Sequence, residues 1–308
     1  MKIFVTGASG LVGKRLVVAL ASRGNRVLAL SRKSGASGPS GAEAVHGDPS
    51  VVGPWLDRLD ECDAVVHLAG ENIFAKRWSD KFMAEIRRSR VESTAPIAER
   101  LAKRPTRSDG TPKTLISASA VGYYGPGEDE KTESSPAGND FMAEVCVAWE
   151  AAAEPARRAG VRVTHPRFGI VLDPDGGALP NLMRPFRFFV GGRVGHGRQW
   201  VSWIHRDDAT SALLFLLDQP LSGPVNVTAP NPVRNREFSA ILAAAMHRPN
   251  WLPVPPFSLR LALGKVAEVI TTGQRVVPKA LSETGFEFRY ARLEKAMGQL
   301  IYTARGPK

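Results

Sequence analysis

The chain is poor in cysteine. Its 308 residues hold two, Cys62 and Cys146, with no CxxC pair and no metal-ligand spacing. A disulfide framework and a zinc site are therefore not expected, and reduced, buried thiols in a cytoplasmic protein are. Long apolar runs are also missing. No stretch approaches the ~20 apolar residues of a membrane span. Met1-Lys2 leads through IFV directly into a glycine-rich turn, which does not read as a signal peptide. Acids are in the minority, 30 Asp and Glu against 41 Lys and Arg, for a formal net charge of +11. Yet no basic run exceeds two residues (Arg87-Arg88, Lys103-Arg104, Arg157-Arg158), and no RNP, zinc-finger or basic-zipper pattern accompanies them. The excess charge suits phosphorylated small molecules, not nucleic acid or a membrane. Lysine is absent from the whole interval between Lys131 and Lys265, which matters below.

What is present starts at the amino terminus. KIFVTGASGLVGKRLVVALASRGNRVLALSR reads as strand, turn, helix, strand. Ile3 to Val5 is a short continuous apolar run, as in a buried parallel strand. Leu11, Val12, Leu16, Val17, Leu20 and Ala21 recur at helical spacing, and Gly24-Asn25 ends the helix. The turn, GASGLVG, places glycines at 7, 10 and 13. Gly7 permits a sharp turn, Gly10 permits close approach of a pyrophosphate, and Gly13 permits tight helix packing; Ser9, Leu11 and Val12 complete the cradle at the helix start. The second strand ends in Ser31-Arg32-Lys33. An NAD-preferring site carries an acid here for the ribose 2′-hydroxyl; a hydroxyl and two cations welcome a 2′-phosphate instead, so NADP(H) is expected over NAD(H). HGD then places Gly47 and Asp48 at a strand end facing the adenine. DAVVHLAG is a buried strand closing in Leu68, Ala69 and Gly70, small enough for backbone contact with the cofactor.

TGASGLVG, HLAG, SASAVGYYG (117–125), PRFGIVL (166–172) and SWIHRDDA (202–209) occur in the order found in extended short-chain dehydrogenases. GENI at 70–73, DFMAEVCVAWEAAA and VPKALSETGFEFRY resemble that superfamily's atypical subgroup described as sugar-nucleotide epimerase-like, over essentially the whole chain. The resemblance implies an α/β fold: a doubly wound parallel Rossmann sheet with a smaller interleaved C-terminal substrate domain. The expected division is 1–172 and 203–229 for the cofactor domain, and 173–202 and 230–308 for the substrate side. It also implies cofactor contacts at Glu71, Ser117, Pro166, Arg167 and Gly169. Glu71 reads equally as a general base, a substrate hydroxyl ligand or a surface acid at a helix start.

In the superfamily a Ser pairs with the Tyr and Lys of a YxxxK helix; the Tyr is the acid/base and the Lys lowers its pKa. Here Ser119 matches the serine, but the helix FMAEVCVAWE offers Met142 and Cys146 at the Tyr and Lys positions. Neither moves a proton or carries a charge as required. Tyr124 or Tyr123 is left to supply a phenol from the loop. Residues 173–200 alternate Arg184, Arg187, Arg193 and Arg198 with Phe186, Phe188 and Trp200. They read as a loop that grips a nucleotide diphosphate, or as a lid packed on its own aromatics. His205 reads as structural. The expected function is NADP-dependent epimerisation or reduction of a nucleotide-sugar or related small carbonyl or hydroxyl substrate. The alternative, favoured by Met142 and Cys146, is a non-catalytic NADPH-binding sensor or regulatory protein.

Overall fold

A computed structural model describes residues 1–33, 38, 41–255, 257, 261 and 264–305. Seven strands build the main sheet: β1 (Lys2–Thr6), β2 (Arg26–Ser31), β3 (Ala42–His46), β4 (Ala64–His67), β5 (Thr114–Ser117), β6 (Arg162–Phe168) and β7 (Gly223–Val227). Their order is β7-β6-β5-β4-β1-β2-β3, all parallel, and an eighth short strand, Ser119–Ala120, joins β6 beyond the end of β5. The winding reverses between β1 and β4. In open α/β sheets the crevice at such a switch point, outside the strands' carboxyl ends, is where ligands bind.

Alternation explains how both faces of the sheet are filled. Ile3 and Val5 of β1 face one core with Leu16, Val17 and Leu20 of α1 (Gly13–Ser22), while Phe4 faces the other with Trp55, Ile97 and Leu101. Ile97 and Leu101 belong to α2 (Asp80–Lys103), started by Ser79, whose Oγ accepts from the Phe82 N–H. The helix α3 (Phe141–Ala151) is capped by Asp140 in the same way. No helix of the described residues is long and apolar enough to cross a membrane.

A second core draws on both separated stretches outside the main sheet. It joins Leu179, Met183 and Phe186 of α4 (Leu179–Arg187) to Phe238 and Leu242 of α6 (Asn235–Met246) and Met297 and Leu300 of α7 (Leu293–Arg305). The seam is interdigitated: Trp203 packs in this second core, whereas Leu281, with Phe286 and Phe288 against it, packs in the core of the main sheet. It is also stitched by α5 (Arg206–Asp218), which lies between them in sequence. His205 caps this helix, stacks on Tyr290 at 3.8 Å and pairs with Gln299; Asp208 accepts the N–H groups of Arg289 and Tyr290.

Two elements differ from the sequence reading. RVTHPRFGIVL (162–172), whose apolar run predicts one buried strand, is not one strand. It breaks at Gly169 into β6 and Ile170–Asp173, which pairs with Trp203–His205 in a separate small sheet. A Cβ on Gly169 would lie 2.6 Å from the Ser202 carbonyl oxygen, so glycine there serves the crossing of two chains. Residues 173–200 are not a plain loop either, because α4 forms across 179–187 despite Pro185 in its last turn.

Candidate active site

The nucleotide end is built by the β1–α1 turn. Gly7 has φ +67°, and a Cβ on it would come within 2.7 Å of the Leu68 carbonyl carbon, so the turn lies directly against the chain leaving β4. A Cβ on Gly13 would come within 2.1 Å of the Gly7 carbonyl oxygen; this glycine closes α1 onto the loop itself. Gly10 is different. It is exposed, as is Ser9, and a Cβ there would meet nothing closer than the Gly7 oxygen at 3.1 Å. Leu11 and Val12 are half-buried beside it, and α1 begins with no side-chain cap and no acid in its first turn. Free N–H groups with the helix dipole behind them are a site for an anion.

At the end of β2, Ser31 Oγ accepts from the Lys33 N–H at 3.2 Å, and Arg32 is exposed. Asp48, past β3, accepts from Ser50 Oγ (2.6 Å) and N–H (2.9 Å); these bonds hold its carboxyl below the usual range, and the charges of Arg32 and Arg88 add to them. Gly47 makes room for Trp55, whose Cδ1 would lie 2.5 Å from a Cβ there. Beneath the turn runs a relay that the sequence reading missed. Thr6 Oγ1 lies 2.7 Å from His67 Nδ1, and His67 Nε2 lies 3.0 Å from Ser93 Oγ, which donates to the Ser89 carbonyl. A neutral ring with its proton on Nε2 satisfies every member, and burial pushes the His67 pKa down to about 4. Thr6 Oγ1 also accepts from the Ala69 N–H, which fixes the exit of β4.

The reacting end lies where β5, α2 and α3 meet. Ser117 Oγ, at the tip of β5, is buried with no hydrogen-bond partner among the described residues. Ser119 Oγ donates to Glu150 Oε1 at 2.6 Å. Arg167 grips both Glu150 oxygens at 2.8 Å, and its third nitrogen donates to the Tyr124 hydroxyl, also at 2.8 Å. Tyr124 passes its own proton to Asn226 Oδ1 at 2.7 Å, and Asn226 is held by Val277 and Glu133. The result is a network drawn from five elements. Its burial pushes the Tyr124 phenol up to about 12, against the pull of Arg167.

This geometry gives three of the expected site residues partners within the protein. Tyr124 is buried, and its hydroxyl donates to Asn226. Ser119 is spent on Glu150. Arg167 has its guanidinium bound to Glu150 and Tyr124, not free for a cofactor. Pro166 is a buried β6 residue, between the pairing of β6 with β5 and its pairing with Ser119–Ala120, a break where a residue without an N–H is tolerated. Tyr123 remains half-exposed. The Arg167 guanidinium lies over its ring, 3.4 Å from Cζ to centroid, and its hydroxyl makes no hydrogen bond among the described residues. Met142 and Cys146 do face the site: a Cβ on Gly122 would meet Met142 Cβ at 3.3 Å and Cys146 Sγ at 3.9 Å. Burial pushes the Cys146 thiol up to about 12, so it stays protonated. Glu71, past Gly70, is half-buried; its N–H goes to Ser89 Oγ at 3.1 Å and its carbonyl takes Arg90 at 3.0 Å.

Residues 3–228 match the NAD dependent epimerase/dehydratase family, and residues 254–300 match a domain of unknown function (DUF1731). The chain belongs to the NAD dependent epimerase/dehydratase family. It is 40% identical to the epimerase family protein Mb2239 of Mycobacterium bovis over 96% of both chains. Among solved structures it resembles the human epimerase family protein SDR39U1 with NADPH (31% identity, TM-score 0.84, 98% of this chain and 99% of that one). It also resembles the nucleoside-diphosphate sugar epimerase of Corynebacterium glutamicum (36% identity, TM-score 0.78), covering 98% of this chain and 58% of that one.

The dinucleotide that the epimerase/dehydratase fold holds fits the residues present: an uncapped helix start, an exposed Gly10, a bare β4 exit and the orphaned Ser117 hydroxyl converge on the switch point. Gly7, Gly13, Gly47 and Gly169 shape the protein chain around that space. The residues that sequence reasoning undervalued are those defined by partners far away: His67, Glu150 as acceptor of Arg167, and Arg90.

Proposed function

We propose that the chain binds NADP(H) in preference to NAD(H) and uses it for hydride transfer on a nucleotide-sugar or a related small carbonyl or hydroxyl compound. The observation that carries the cofactor half is the end of β2, where Ser31 and exposed Arg32 stand and no acid does. The bare start of α1 and Gly10 would hold the pyrophosphate, Ser31 and Arg32 the 2′-phosphate, and Leu68 to Gly70 and Ser117 the nicotinamide half. A nicotinamide bound there supplies the hydride acceptor or donor. Tyr123 is the phenol left to move the proton: it borders the reacting end, lies against a fixed cation, and has its hydroxyl uncommitted.

A phosphorylated substrate is supported by charge. Arg198, Arg234 and Arg236 line a recess of about 300 Å³ with Glu128, and Arg234 stacks on Trp200 at 3.8 Å. Guanidinium groups fixed by stacking suit diphosphate recognition. The relatives' descriptions, one with NADPH and one as a nucleoside-diphosphate sugar epimerase, point the same way. The deciding experiment is titration of purified protein with NADPH and NADH by nicotinamide fluorescence. NADPH is expected to bind at least about tenfold tighter, with the advantage lost in Arg32→Glu. Equal or tighter binding of NADH sinks the cofactor reading.

A further inference from the structure

We infer that Arg90 supplies, from α2, the positive charge at the reacting end that Cys146 cannot supply from α3. The inference rests on the cofactor reading above. Hydride chemistry beside a phenol calls for a net positive charge; Arg167, against Tyr123, is already paired with Glu150, and the lysine position on α3 holds a buried, protonated thiol. The described residues around that thiol include one guanidinium placed to replace it. Arg90 lies over the ring of Trp149, 5.1 Å from Cζ to centroid, on the same helix as Cys146. A Cβ on Gly70 would be 3.5 Å from Arg90 Cζ, so the cation sits against the backbone at the exit of β4.

Its bonds show how it is held and what they leave unanswered. One terminal nitrogen donates to the Ile86 carbonyl at 3.0 Å and to Ser89 Oγ at 3.4 Å; the other donates to the Glu71 carbonyl at 3.0 Å. None of these partners is a carboxylate. Burial holds the Arg90 pKa below its usual value, outweighing the opposing effects of Cys146 and Glu71. Arg90 is half-buried, whereas the two fully buried arginines among the described residues each have an acid: Arg167 has Glu150, and Arg206 has Asp173. A desolvated guanidinium without a counter-ion is costly unless it meets a polar or anionic group in the working complex. The position of Arg90, beside Gly70 and Glu71, puts it on the nicotinamide side of the switch point.

The test separates charge from shape. Arg90→Lys keeps the charge but loses the planar fork and the stack on Trp149; Arg90→Gln keeps hydrogen-bonding capacity but loses the charge. Binding to the full chain is measured by calorimetry with two probes: NADPH, and adenosine 2′,5′-bisphosphate, which reaches the adenine half alone. Arg90→Gln is expected to weaken NADPH by about tenfold or more, with adenosine 2′,5′-bisphosphate unchanged. Arg90→Lys is expected to keep NADPH within about threefold. If Arg90→Gln does not fold, Arg90→Lys still decides, because a tenfold loss there would mean that shape, not charge, is what Arg90 provides. Equal NADPH affinity in wild type and Arg90→Gln, or parallel losses for both probes, would overturn the inference alone. Failure of the wild type to bind adenosine 2′,5′-bisphosphate would overturn the NADP(H) reading and this inference with it.

Discussion

Tyr123 and Tyr124 are adjacent in sequence, and their rings pack edge to face at 5.3 Å, but only one is locked. Tyr124→Phe leaves Arg167 and Asn226 each short of a buried partner. It should cost about 1–3 kcal/mol, read as a lower urea midpoint, with NADPH binding intact. Tyr123→Phe removes a hydroxyl that bonds to nothing, so stability should stay within about 0.5 kcal/mol. Turnover of a carbonyl substrate should fall by about a hundredfold or more, as for loss of a general acid. The reverse pattern, with Tyr124→Phe inactive and Tyr123→Phe active, would assign the proton to the buried phenol. Sequence reading located SASAVGYYG at the strand end but left this choice open for a physical reason. Neighbours on a tight turn point different ways, and what decides between them is Glu150, Arg167 and Asn226, which arrive from three distant elements.

At the scale of the element, the glycine turn divides into residues packed against the chain and one, Gly10, that is exposed. Gly13→Ala forces a methyl into the Gly7 carbonyl, 2.1 Å away, and should lower the melting temperature together with NADPH affinity. Gly10→Ala brings its methyl to 3.1 Å from the same oxygen, a tight contact that a shift of a few tenths of an ångström relieves, so the melting temperature should fall less than in Gly13→Ala while NADPH affinity falls. A loss of stability in Gly10→Ala as large as in Gly13→Ala, measured by differential scanning fluorimetry, would mean that Gly10 too is structural. The parallel strands and α1 were legible because continuous apolar runs and a 3.6 period are local signals. The break at Gly169 and the helix α4 were not. The break is set by the Ser202 carbonyl on a crossing strand, and α4 is held by its buried face, Leu179, Met183 and Phe186, against a core assembled from residues beyond 200.

For the whole molecule, the buried histidines set the response to acid. His67, His165 and His205 all have their pKa lowered, burial being the largest cause for each. An unfolded histidine takes up its proton near ~6.5, whereas His67 in the fold waits until about 4. Between those values the unfolded chain binds more protons than the native one. Stability is therefore full above about pH 6.5, falls as the pH drops through that window, and for His67 levels off below its folded value. His67 alone contributes up to about 3 kcal/mol to this loss. The depressed carboxylates Asp60, Glu61 and Asp173 add their own losses only at lower pH, near and below the ordinary carboxylate range, and Asp208, raised by burial, opposes them. Urea unfolding at pH 7, 5.5 and 4.5 should show a falling midpoint at both steps, the first of them before carboxylates titrate. His67→Gln, which cannot be protonated, should flatten much of that fall even if it is less stable at pH 7. A wild-type midpoint unchanged from pH 7 to 5 would mean that the Thr6–His67–Ser93 relay accepts a proton in the native state over the same pH range as the unfolded chain, and that the floor of the cofactor site is charged at pH 5.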